Sequence, residues 1–137
     1  MHIDQAMGAK MQNQIVGTWL LQQFLIEDTE GKQRNWGTNC HGLLIYASSG
    51  HMSVSINKDI ESKSDKETQN NFDSILFYSG TYSFENEVIK HHVTEASSPS
   101  RIGKEMLRYT NLENNILTLT SPKESFGHAI LKWKKIV

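Results

Sequence analysis

The stretch GLLIYASSGHMSVSI, Gly42 to Ile56, decides the architecture. Leu43, Leu44, Ile45 and Tyr46 form one apolar run, and Ser48, Ser49 and Gly50 make a tight-turn signal. On the far side Met52, Val54 and Ile56 alternate with polar residues. Period-two alternation across a short turn containing glycine is the pattern of a β-hairpin with one buried face. The hairpin poses a single question: whether that face packs on the protein's own side chains or lines a hollow.

The same period recurs on both sides of the hairpin. QIVGTWLLQQFLIED (Gln14 to Asp28) reads as a long strand ended by the turn DTEGK. YSGTYSF, VIKHHVTE, EMLRYTNL, ILTLTSP and HAILKWKKI follow, and the polar triplets ENE and ENN between them are connections of hairpin type. One segment departs from the pattern. DIESKSDKETQNNFDSILF (Asp59 to Phe77) begins polar and places Phe72, Ile75 and Leu76 at helical spacing, and Ser64 with Glu67 forms a capping box. A helix is predicted from about Ser64 to Phe77. Residues 1–13 read as an N-terminal extension, with Met7 and Met11 four apart permitting a short helix at a barrel end. Residues 14–137 read as one domain.

Eight or so antiparallel strands in meander order close most economically into an up-and-down barrel, because closure removes exposed edges. The expected fold is therefore all-β, a closed antiparallel up-and-down barrel of about eight strands with one inserted helix. A barrel of that size is either filled by side chains or holds one small ligand. Gly80 and Ser53, if they face inward, leave space instead of filling it.

Composition narrows the function classes. A chain of 137 residues suits one domain and buries roughly two thirds of its unfolded surface, so it needs no metal or disulfide staple. Fourteen basic and fifteen acidic residues nearly cancel, which gives no electrostatic footprint for nucleic acid. Cys40 is the single cysteine, so no intramolecular disulfide forms, as suits a reducing compartment. The N-terminal residues lack the basic start and apolar run of a secretory signal, and no segment approaches the length of a membrane span. A cytoplasmic location is the expectation. No H-x-x-x-H, C-x-x-C or H-x-H spacing brings two metal ligands together, and G-x-S-x-G and glycine-rich phosphate loops are missing. Neither a metal nor a cofactor is expected.

The strand motifs carry a resemblance. IVGTWLL (Ile15 to Leu21) is similar to the G-x-W opening strand of lipocalins, and GLLIYASSGHMSV is similar to an opening-hairpin motif. YSGTYSF, HHVTEAS, GKEMLRYTNLENNILTLTSP and LKWKK follow in matching order over nearly the whole chain after the first dozen residues. The chain thus resembles the lipocalin-like domain family, within the wider calycin group. The resemblance implies an eight-stranded calyx with a central cavity and a small, largely apolar ligand. Some lipocalin-like proteins act as cyclases or isomerases, so it implies a pocket without fixing its purpose. It also implies that Trp19 plugs the closed end beneath a basic side chain from late in the chain, with Lys132 and Lys134 as the candidates.

Several residues could meet a ligand. His91 and His92 are adjacent on one strand and point to opposite faces, so only one lines the interior. His91 shares its face with Ile89 and Val93 and is the better inward candidate, as a general base, a ligand hydrogen-bond partner or a bonded core residue. Arg108 either faces solvent or faces inward, where it needs a partner such as Glu95, Glu105 or a ligand carboxylate. Tyr46, Tyr78 and Tyr82 offer aromatic walls with polar tips, and Met52 and Val54 complete the expected ligand-binding set. Three readings follow: a binder of a small apolar or amphipathic molecule, an isomerase or cyclase with His91 as acid/base, or a filled barrel acting through protein contacts. The sequence sets neither the ligand nor the oligomeric state.

Overall fold

The computed structural model describes residues 12–36, 39–57 and 75–136. Among the described residues nine strands run in chain order as β1 (Gly17–Glu27), β2 (Gln33–Asn35), β3 (His41–Tyr46), β4 (His51–Asn57) and β5 (Ile75–Glu85), then β6 (Val88–Ala96), β7 (Glu105–Glu113), β8 (Ile116–Thr120) and β9 (His128–Lys135). Every neighbouring pair is antiparallel, and β1 returns to β9 to close the sheet. Eight strands form the barrel, in the expected meander order. The ninth, β2, is a short addition that pairs Asn35 and Gln33 with the far half of β1.

Turn chemistry explains the hairpins. Asn114 and Asn115 both adopt positive φ, as a two-residue type I′ turn between β7 and β8 demands. Ala47 and His51 close the loop Ser48-Ser49-Gly50, with Gly50 at φ 91°, the left-handed position that a three-residue hairpin loop requires. Alternation then sorts the faces. Leu44, Tyr46, Met52, Val54, Ile56, Tyr78, Tyr82, Ile89, His91, Val93, Leu117, Leu119 and Trp133 are buried within the barrel. His92 lies on the outer face, so the interior histidine is His91.

At the end where β1 begins, residues 12–15 form one helical turn. Trp19 is wholly buried there, and its indole N–H donates to the Ile15 carbonyl at 2.9 Å. Lys135 donates to the Gln14 carbonyl at 3.1 Å, and its Nζ stands 5.7 Å from the Trp19 ring centroid. Both side chains therefore satisfy carbonyls that a helix end leaves open. The cation over Trp19 is Lys135, correcting the expectation of Lys132 or Lys134. Register decides it. Trp19 pairs with Lys135, and the inward set of β9 contains Leu131, Trp133 and Lys135, whereas Lys132 and Lys134 point out.

The expected helix over Ser64–Phe77 is also corrected at its end. Ile75, Leu76 and Phe77 are strand, paired with Asn57, Ile56 and Ser55 of β4. The ladder to β4 gives these residues backbone partners and buries part of Leu76, which outweighs a local helical spacing. The rest of that helix, like Met7 and Met11, lies outside the described residues.

Gly80 and Ser53 do not enlarge the interior. Ser53 sits on the outer face between buried Met52 and Val54. Gly80 permits a close approach: a Cβ there would lie 1.8 Å from the His92 carbonyl oxygen, beside the register shift between β5 and β6. All the atoms it would meet are β6 backbone, so nothing flexible can yield. Gly80→Ala should therefore destabilise the barrel by at least about 2 kcal/mol. Urea unfolding of the variant measures it, and an unchanged midpoint would show that the bulge can relax.

Candidate functional site

The barrel has a packed half and a hollow half. Beneath, towards Trp19, Tyr46 and Tyr82 meet edge to face at 4.8 Å between centroids, with Met52 buried beside them. Tyr82 donates its hydroxyl proton to the Ala47 carbonyl at 2.8 Å. Above them opens a cavity of about 440 Å³. Leu44, Val54, Tyr78, His91, Leu119 and Trp133 reach it from the buried layer, and Phe24, Leu131, Met106 and Arg108 form its walls. Trp36, stacked on Phe24 at 4.7 Å, stands at the rim with Arg101 and Glu124. The volume falls in the range of small-molecule pockets.

Of the residues singled out from the sequence, Val54, Tyr78, His91 and Arg108 line this cavity. Tyr46, Met52 and Tyr82 lie under its floor in the packed half. Sequence reasoning missed Trp36, Arg101, Leu119 and Trp133. Trp133 was legible as the inward member of LKWKK, but Arg101 comes from a 3-10 turn, Pro99–Arg101, where strand alternation gives no warning.

His91 is the centre of the floor. It is 2 % exposed. Its Nε2 lies 2.5 Å from the Tyr46 hydroxyl and its Nδ1 lies 2.7 Å from the Tyr78 hydroxyl. Burial pushes its pKa from 6.5 down to about 3, and the nearby positive charge of Arg108 adds to the shift. The ring is therefore neutral near pH 7, with one N–H and one lone pair. Burial likewise raises the pKa of Tyr46 and Tyr78, so both phenols keep their protons.

Proton counting fixes the direction of this chain. Among the described residues, Tyr46 has no hydrogen-bond partner except His91. If Nε2–H donated to Tyr46, the Tyr46 proton would be buried without an acceptor, at a cost of about 1–3 kcal/mol. The arrangement that leaves the one unpaired proton at the cavity, and not in the packed half, has Tyr46 donating to Nε2 and Nδ1–H donating to the Tyr78 oxygen. Tyr78 then turns its own proton to the cavity that it lines. The floor thus presents a hydrogen-bond donor.

Arg108 faces inward with Met106 and Leu112 on β7. It donates to the Leu107 carbonyl at 2.7 Å, and no carboxylate forms an ion pair with it among the described residues. Glu95 is instead held by Ser79 on the outer face. No cluster of three His, Cys, Asp or Glu side chains suited to a metal occurs among the described residues.

Comparison with known proteins gives one family. A family model described as a lipocalin-like domain matches residues 16–136. No curated protein matches the chain. A solved structure of a redesigned β barrel is similar at 12% identity, covering 92% of this chain and 95% of its own, with a TM-score of 0.48. Among the described residues no helix is long and apolar enough to cross a membrane.

Acid should act on the floor first. A buried histidine with a lowered pKa stabilises the fold fully above pH 6.5, and that contribution is lost as pH falls towards about 3. Urea midpoints should decline through this window, and His91→Gln should flatten the slope. Nitrogen chemical shifts of the imidazole should report the Nδ1–H tautomer at pH 7.

Proposed function

The chain belongs to the lipocalin-like domain family, and on that footing we propose that it binds one small, largely apolar molecule in the barrel cavity. The carrying observation is the cavity itself. Apolar side chains from β1, β3, β4, β8 and β9 line about 440 Å³ above a floor held in place by hydrogen bonds. An apolar wall with a few placed polar groups is the usual form of a ligand pocket. Val54, Tyr78, His91 and Arg108 supply the contacts in this reading. Tyr46, Met52 and Tyr82 support the floor from below.

An isomerase or cyclase using His91 as acid/base draws less support from the same geometry. Both imidazole nitrogens are committed to tyrosines. At neutral pH the ring carries no extra proton to give, because its pKa is pushed to about 3. A proton passed inward from Tyr78 would stop at Tyr46, which has no onward partner among the described residues. A donor fixed in direction suits orientation of a ligand better than proton turnover.

Native mass spectrometry of freshly purified protein, followed by organic extraction, tests the binding reading. A reproducible extra mass identifies the class of ligand. Leu119→Trp, which fills the cavity from β8, should remove that mass while leaving a cooperative thermal transition. Retention of the ligand by a folded Leu119→Trp protein would place binding elsewhere.

A further inference from the structure

Among the described residues, the polar groups deep in the cavity offer it donors. Tyr78 turns its hydroxyl proton to the interior, as the proton count above requires. Trp133 is 1 % exposed, and its indole N–H has no acceptor among the described residues. Arg108 offers five N–H groups, and the Leu107 carbonyl is its only hydrogen-bond acceptor among the described residues. His91 is saturated by its two tyrosines. The acceptors on the lining, Ser121 and Glu124, belong to the loop after β8 at the mouth.

We propose that the cavity's ligand is a monocarboxylate, with its apolar body along Leu44, Val54, Leu119 and Leu131 and its carboxylate held by Arg108 and Tyr78. This rests on the binding reading above. A half-buried guanidinium without a counter-charge is costly, and a carboxylate matches its fork with two parallel hydrogen bonds. A neutral ketone or alcohol would satisfy Tyr78 and leave that charge unmatched. Arg108, Arg101 and Glu124 give the lining a net charge of one positive, so a second negative charge on the ligand would go unmatched.

The test compares ligands that differ only at the head. Trp36 and Trp133 line the cavity, so intrinsic fluorescence reports occupancy. The probes are decanoate against decanol, and naphthoate against naphthol. A charge-assisted hydrogen bond predicts that each acid binds about ten- to a hundredfold tighter than its alcohol. Arg108→Met should bring the two affinities of each pair together, and Tyr78→Phe should narrow the gap. Alcohols binding as tightly as acids to the unmutated protein would overturn the carboxylate and leave the binding reading standing. Failure of all four probes to bind would overturn both. The acid–alcohol comparison needs no variant, so an Arg108→Met protein that does not fold leaves the test intact.

Discussion

Closure of β1 on β9 is the constraint from which the other features follow. β1 must pair with β9 along Trp19 to Glu27, with β3 over Gly17 to Leu20, and with β2 over Leu25 to Glu27. β3 and β2 share the edge opposite β9, one along each half of β1. The register shift between Leu21 and Gln23 falls between these two halves and bends β1. Its first half then closes the Trp19 end against β3, while its second half carries Phe24 and Ile26 to the cavity wall. The two halves of this one strand thus serve the packed base and the cavity wall in turn.

The division between them falls at the level of His91. Below it the inward residues are large and mutually packed: Trp19, Tyr46, Met52 and Tyr82. Above it Leu44, Val54, Leu119 and Leu131 point inward beside Phe24, Tyr78 and Trp133, and together they line the axis without filling it. A barrel of eight strands stands at the size where side chains just suffice to fill it, so the choice of side chain in each layer decides between solid and hollow. The hairpin spans both regimes. Tyr46 and Met52, next to its turn, belong to the solid half, and Val54 and Ile56 belong to the hollow one.

Alternation made most of the barrel readable in advance. Period two found each barrel strand (though it missed the first three residues of β5), separated His91 from His92, and put Met52 and Val54 on one face, because side-chain direction follows from backbone parity alone. Depth along the barrel axis does not follow from parity. Tyr46 and Tyr78 share the inward direction yet sit on opposite sides of His91, and only the register linking β3, β4 and β5 assigns the levels. The same limit explains Lys135: three lysines in five residues are distinguishable only once the pairing with Trp19 is known. Arg108 was readable as a candidate and not as inward, since a charged residue on a strand is ordinarily a solvated one. Gly80 was misleading for a related reason. A small inward residue suggests space, whereas here the β6 backbone occupies it.

Why a histidine should bridge the floor follows from its hydrogen-bonding character. Neutral imidazole carries one donor and one acceptor on a rigid ring. Placed between two phenols, it accepts from the one in the packed half and donates to the one that lines the cavity. Protonation would destroy that polarity. Imidazolium donates from both nitrogens, so Tyr46 would have to accept, its own proton would lose its only acceptor among the described residues, and a second positive charge would stand near Arg108. The depressed pKa of His91 is therefore a condition for the floor to exist as built. Desolvation supplies most of it and Arg108 the remainder. The cation that lines the cavity helps to keep the floor neutral, and the neutral floor in turn aims the Tyr78 hydroxyl at the cavity that Arg108 lines.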